Sequence, residues 1–452
     1  MILTTNPATG KILRTYTQYS EKMIIDALEH AHTAHLAWRK TSLTERTALL
    51  LSLAQVLRER SEHYARLMTE ETGKPIRAAR AEIEKCAWTC EVYAANAASW
   101  LAEEAVAADG CKHHIVIEPL GVILAVMPWN FPFWQVIRFL VPALLTGNGA
   151  LLKHAANVTG SALNIQEAVN AAGFPAELFT TILASHEQVE QVIAHPLCRG
   201  VSLTGSTEAG KSIAATAGKY LKKVVLELGG SDPLIVLADA NIAAAAKAAV
   251  IGRFQNNGQS CIAAKRIIVL EEIQEVFIVA LLAEVEKLVV GDPQAEETDI
   301  GPLVNQQAAE KMAQFVADAV AKGAIVQTGG KRQGAYFFPT VLTNVTAEMD
   351  VLAREVFGPV MPVIIAQTED EAVAQANNTR FGLGASVWSQ NLAHGERVAR
   401  QLEAGAVFVN SITKSDPRMP FGGIRESGLG RELSRWGLRE FANIKTINVY
   451  AG

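Results

Sequence analysis

From about residue 115 onward, short apolar runs alternate with helical patterns, and no other feature of the sequence restricts the fold as much. The runs are "GVILAVM", a helix from 133, "GALLK", a helix near 160 to 172, "TTILA", then "GVSLTGS" and "KKVVLELGG". A strand that leads through a helix to the next strand returns parallel to the first, with helices covering the sheet. The rhythm predicts an α/β fold built on a parallel sheet. After Gly230 a second block begins with "PLIVL", an alanine-rich helix from 241, "KRIIVL" and a helix from 274, and it continues to about 410. A chain of 452 residues is too long for one core, and the "GGSDP" breaker places a boundary near 230. The first hundred residues read as helices. "SLTE" at 42–45 is a capping box ahead of Leu49, Leu50, Leu53, Val56 and Leu57 at helical spacing. The last stretch, "NIKTINVYAG", alternates like a strand with no evident partner.

Charge and cysteine usage narrow the function classes. A net charge of −5 with no basic stripe argues against a nucleic-acid or anionic-membrane partner. The most apolar stretch, 121–152, is interrupted by two early prolines, Asn130, Gln135 and Arg138, so it reads as buried core rather than a membrane span. The amino terminus lacks the charged-then-apolar plan of a secretion signal. Five cysteines in a chain of this length read as reduced thiols, which predicts a cytoplasmic protein. Cys86 and Cys90 share a helix face, but no further close ligand pair completes a zinc set, and no metal site is expected.

Several stretches carry chemistry. In "RFQNNGQSCIAAKR" the thiol of Cys261 ends a run of amides, glycine and serine. A cysteine at such a turn can be reached by a substrate and held as thiolate by backbone N–H groups. A packing cysteine fits the local sequence equally well. Glu227 ends the apolar strand in "VVLELGGSD", where a carboxyl with a raised pKa suits a general base for water, and a salt-bridged strand end suits it as well. Asn130 sits between two prolines in "MPWNFP", a stiff turn whose amide can donate to an oxyanion or can simply be a turn residue. "LTGSTEAG" turns from a strand end into a helix start, so the backbone at Gly205 and Ser206 can face a phosphate, although it is not the G-x-G-x-x-G pattern. Lys153, at the end of "ALLK", can reach a ribose or phosphate, or lie on the surface.

In combination and in this order, these stretches resemble the aldehyde dehydrogenase superfamily from end to end. "NPATG", "EETGKP", "PWNFP", Lys153, "TGSTEAG", "LELGG", "NNGQSC", "REVFGP", "PFGG" and "SGLGREL" carry the resemblance. It implies a doubly wound cofactor domain over 1–101 and 118–229 and an α/β catalytic domain over 230–429. It further implies a small β arm over 102–117 and 430–452 that pairs subunits into a homodimer or homotetramer. The resemblance also implies the chemistry. Cys261 attacks an aldehyde, and its own N–H with the Asn130 side chain holds the oxyanion. Hydride passes to NAD or NADP, and water activated by Glu227 hydrolyses the thioester. Trp129, Lys153, Ala156, Gly205, Ser206, Leu228, Glu355 and Phe357 fall at cofactor-binding positions, with Glu355 on the nicotinamide ribose. Trp134, Arg138, Ser415 and Phe421 fall at substrate positions.

Three departures from the family pattern stand out. Members that prefer NAD commonly carry a glutamate where this chain has Ala156, so the bar to a 2′-phosphate is gone. Phe139 replaces a lysine of a proposed proton path. Arg138 stands where many relatives have an aromatic residue. A guanidinium in an apolar tunnel is costly unless it meets an anion, either a substrate carboxylate gripped bidentately or a structural acid nearby. "FPFWQVIR" and "SITKSDPRMPFGG" resemble the succinate-semialdehyde dehydrogenase branch, which implies a short aldehyde with a distal carboxylate. A general aliphatic or aromatic aldehyde dehydrogenase is the alternative. Glu227 argues against a CoA-acylating relative, and the intact Cys261, Glu227 and Asn130 argue against a catalytically dead structural protein.

Overall fold

The computed structural model describes residues 1–451, and Gly452, the last residue of the expected arm, lies outside the described residues. The first sheet contains β1 (Val122–Met127), β2 (Gly149–His154), β3 (Phe179–Thr181), β4 (Cys198–Thr204) and β5 (Lys223–Glu227). These strands are all parallel and lie in the order β5-β4-β1-β2-β3. The chain enters at the central strand, winds out to one edge through β2 and β3, and returns to the other side through β4 and β5. Winding therefore reverses between β1 and β4, and in an open α/β sheet ligands bind in the crevice at the carboxyl ends of strands on either side of such a switch.

The second sheet contains β6 (Asp232–Val236), β7 (Ala264–Leu270), β8 (Ile325–Thr328), β9 (Thr340–Thr343), β10 (Val360–Ala366), β11 (Gly384–Trp388) and β12 (Ala406–Val409). Their order is β8-β9-β10-β7-β6-β11-β12, parallel except for the antiparallel β8–β9 edge. A short strand, β13 (Gly428–Leu429), crosses back to the first sheet and pairs antiparallel with β5, setting Gly428 opposite Glu227. The chain passes from β5 to β6 through Gly229 and Gly230, so the carboxyl ends of one sheet face the amino ends of the other. A side chain on Gly230 would put its Cβ 2.6 Å from the Cys261 carbonyl oxygen, so only glycine permits this approach.

The helices follow the sequence periodicity. Ser42 and Glu45 form the capping box of helix Leu43–Glu59, whose Leu50, Leu53 and Leu57 are buried. Helix Pro132–Thr146 starts with proline in its first turn, ends on Gly147 at φ 101°, and buries every residue. It lies within the stretch that mimics a membrane span, and no helix among the described residues is long and apolar enough to cross a membrane.

The structure corrects three expectations. The first hundred residues are not all helical, because Ile2–Thr5 and Ile12–Tyr16 form an antiparallel hairpin ahead of the first helix. The terminal strand has a partner within the chain, since Ala442–Val449 pairs with Lys112–Pro119, which pairs in turn with Glu104–Ala105. An arm beginning at 430 starts too early. Leu433 and Leu438, the latter in helix Ser434–Glu440, are buried in the same apolar cluster as Tyr93, Phe139 and Leu145, and Tyr93 donates to the Ser434 carbonyl at 3.2 Å. Their burial ties 430–441 to the cofactor-side core, and the chain leaves that core only at the strand Ala442–Val449.

Candidate active site

The facing sheet edges bring most of the expected residues together. Trp129 and Asn130 follow β1, Lys153 lies in the last turn of β2, Gly205 and Ser206 follow β4, and Glu227 closes β5. From the opposite side, Cys261 precedes β7, and Glu355 and Phe357 precede β10. The loop before Cys261 is locally unusual. Asn256 (φ 54°), Asn257 (φ 59°) and Gly258 (φ 71°) are consecutive left-handed residues, a conformation that asparagine and glycine tolerate best. Side-chain amides hold it there. Asn256 Nδ2 donates to the carbonyls of Asn130 (2.9 Å) and Gln259 (3.0 Å), and Asn257 Nδ2 donates to those of Gly73 and Pro302. Asn130 Nδ2 donates to the Gln259 carbonyl at 3.0 Å, which fixes the proposed oxyanion donor beside the cysteine loop.

A lysine not anticipated from the sequence braces the Cys261 backbone. Lys265 is buried, donates to the carbonyls of Ser260 (2.8 Å) and Cys261 (2.6 Å), and pairs with Glu355 at 3.3 Å. Glu355 also accepts from the Gly230 N–H at 3.1 Å. The thiol itself is not poised as a thiolate. Burial pushes the Cys261 pKa up to about 11, Arg138 and Lys265 draw it down, and Glu227 and Glu355 push it up. Burial outweighs the two cations, contrary to the thiolate expected from the polar flank. Glu227 is 2 % exposed, and neither carboxyl oxygen has a hydrogen-bond partner. Burial holds its pKa well above the usual carboxylate range, Arg138 and Arg431 oppose the shift, and Glu432 reinforces it. A buried, unpartnered carboxyl with a raised pKa is a stronger base once it is ionised, which suits it to take a proton from water.

Arg138 has a structural acid beside it. Its Nε lies 2.5 Å from Glu432 Oε2, both side chains being almost wholly buried, and its Nη2 donates to Thr204 Oγ1 at 2.9 Å. Its guanidinium carbon sits 5.3 Å from the Phe421 ring centre. The structural acid beside Arg138 is Glu432, while Nη1 makes no hydrogen bond among the described residues. Arg138 still borders a cavity of about 250 Å³ together with Cys261, Trp134, Thr413, Ser415 and Phe421. The sequence reading missed Lys85 in the same wall, where its Nζ lies 4.1 Å from the Trp134 ring centre.

The residues expected to hold the cofactor lie at the carboxyl ends of the first sheet and ahead of β10. Trp129 packs edge-on against Phe357 with centroids 5.8 Å apart. Lys153 is largely buried, has no carboxylate partner, and has its pKa lowered by that burial. Gly205 donates to the Glu227 carbonyl at 3.0 Å, and Ser206 caps helix Thr207–Lys219. Leu228 is buried against Gly210 of that helix. Ala156 is exposed in a short 3-10 turn after β2. A half-buried lysine without a counter-ion, a capped helix start and no carboxylate at 156 form a cradle that fits an anionic dinucleotide. No group of acidic, histidine or cysteine side chains able to hold a metal is present among the described residues.

This arrangement is that of a family, and comparison with known proteins identifies it. The aldehyde dehydrogenase family profile matches residues 1–447, and the chain belongs to that family. It is 46% identical over 449 residues, 99% of each chain, to a protein of Synechocystis sp. named as a probable succinate-semialdehyde dehydrogenase, NADP(+). It is 45% identical over 454 residues, 99% of each chain, to succinate-semialdehyde dehydrogenase 1, NADP(+), of Mycobacterium tuberculosis. Among solved structures, succinic semialdehyde dehydrogenase from Streptococcus pyogenes in complex with NADP+ superposes with a TM-score of 0.97 at 37% identity, covering 100% of both chains.

Proposed function

We propose that this protein oxidises succinate semialdehyde, or a similar short carboxylated aldehyde, to the dicarboxylic acid with NADP. The observation that carries the reading is the small cavity that Cys261 shares with the cationic side chains of Arg138 and Lys85, in a chain whose relatives are named for that substrate. The Cys261 thiol loses its proton and its sulfur attacks the aldehyde carbon, and the Cys261 N–H and Asn130 Nδ2 hold the resulting oxyanion. A bound nicotinamide dinucleotide supplies the oxidant that turns this adduct into a thioester. Glu227 then takes a proton from the water that attacks the thioester, which frees the carboxylate product and the thiol.

Lys153, the backbone at Gly205 and Ser206, Leu228, Glu355, Trp129 and Phe357 would hold the dinucleotide. Exposed Ala156 leaves room for a 2′-phosphate. Ile444, Ile447, Val449 and Tyr450 are exposed on or beside the outer strand of the three-stranded sheet, and we assign that edge to pairing with a second copy in a dimer or tetramer. The free cysteines fit a reducing compartment such as the cytoplasm. Absorbance at 340 nm tests the reaction. Succinate semialdehyde with NADP is expected to give the highest kcat/KM among both cofactors and a panel of neutral aldehydes. Equal or better turnover of butanal would favour the general aldehyde dehydrogenase instead.

A further inference from the structure

The cavity beside Cys261 is bordered by one half-buried cation, Lys85, that no acid neutralises among the described residues. Lys85, on helix Ile76–Trp100, donates from Nζ to Ser415 Oγ at 2.7 Å and lies over the Trp134 ring. It takes part in no ion pair, although acids stand nearby. Glu82, one turn earlier on the same helix, is taken by Lys74 and by the N–H groups of Phe133 (2.9 Å) and Trp134 (3.0 Å). Asp416, beside Ser415, is taken by Arg418 at 2.6 Å. Arg138 spends its Nε on Glu432 and its Nη2 on Thr204. Lys414 also borders the cavity, but its side chain is exposed to solvent.

We propose that Lys85, together with the hydroxyl of Ser415, binds the distal carboxylate of the substrate and so determines the preference for a carboxylated aldehyde. The proposal rests on the functional reading above and deepens it. A half-buried ammonium without a counter-ion is unfavourable, and a ligand carboxylate relieves it by adding an ionised acceptor to a donor that now meets only a hydroxyl. The indole face of Trp134 holds the ammonium without cancelling its charge. Burial first, then Arg138, lowers the Lys85 pKa to about 8, while Cys86, Glu82 and Asp416 raise it. Arg138 and Trp134 face it from helix Pro132–Thr146, Ser415 and Asp416 from the loop, and Glu82 and Cys86 from its own helix. The ammonium therefore persists at neutral pH and is lost in mildly alkaline solution.

The test measures kcat/KM for succinate semialdehyde and for butanal with NADP in the wild type, K85M and K85R, from pH 6.5 to 9.5. The ratio of the two substrates cancels steps common to both, ionisation of Cys261 included. In the wild type the ratio is expected to fall about tenfold per unit once pH exceeds about 8. K85M should lower the neutral-pH ratio about 10- to 100-fold, mainly by raising KM for the semialdehyde, and should flatten the profile. K85R, which keeps its charge throughout the range, should restore part of the preference and remove the alkaline fall. A wild-type preference that K85M keeps within about threefold overturns the role of Lys85, and so does a wild-type ratio that stays flat over the whole range up to pH 9.5. The second observation needs no folded variant. Failure of the wild type to prefer the semialdehyde at all rejects the substrate reading instead.

Discussion

Replacing Arg138 with alanine separates a structural arginine from a substrate clamp. The substitution leaves Glu432 buried with only a 3.5 Å contact from Ser202 and removes the donor to Thr204. At an effective dielectric near 20, two unit charges about 4 Å apart are worth about 4 kcal/mol. Losing one partner of a buried pair typically costs about 3–5 kcal/mol. The loss should therefore appear first in stability, as a lower urea midpoint for R138A, and R138A/E432Q should recover most of it because the orphaned charge is gone. Activity should fall with both aldehydes. Arg138 is the main influence holding down the pKa of Glu227, and it also lowers that of Cys261. Without it the base and the nucleophile both become harder to ionise, whatever the substrate carries at its far end. The assay is urea unfolding alongside kcat/KM for succinate semialdehyde and butanal in R138A, E432Q and the double variant. If R138A were as stable as the wild type and lost only succinate semialdehyde activity, the ion-pair reasoning would be wrong and Arg138 would be the clamp.

Three further outcomes are expected. E227Q should lower steady-state turnover by about 10²- to 10⁴-fold while stopped-flow absorbance still shows a burst of reduced cofactor, and loss of the burst would place Glu227 before hydride transfer. A156E should weaken NADP binding far more than NAD binding in fluorescence titrations, because a carboxylate repels the 2′-phosphate and accepts from ribose hydroxyls, whereas equal effects would move the adenosine elsewhere. With the Cys261 pKa raised to about 11, its thiolate fraction grows about tenfold per pH unit below that value. Alkylation of Cys261 by iodoacetamide in cofactor-free enzyme, followed by peptide mass, should thus climb steadily from pH 7 to 10, and a plateau near neutrality would mean that a thiolate is already formed.

The sequence by itself determined the strand–helix rhythm, since periodicity and turn residues are local and survive without knowledge of partners. It also placed Cys261, Glu227 and Asn130 in loops and strand ends of the right chemistry, and family resemblance gave them roles. Tertiary structure decided what each charge meets. The acid beside Arg138 is Glu432, which arrives from the segment after β13, and nothing near Arg138 in the chain announces it. Lys85 reaches Ser415 across 330 positions, and its neighbours Glu84 and Cys86 read only as an ordinary helix. The terminal strand reads as unpartnered because its partner, Lys112–Pro119, lies more than about 300 positions earlier in the chain. The thiol pKa was misjudged for the same reason. Polar flanking residues are visible in sequence, but the burial that outweighs them is a property of everything packed around the sulfur. Burial and pairing depend on which distant segments converge, and only the folded chain brings those segments together.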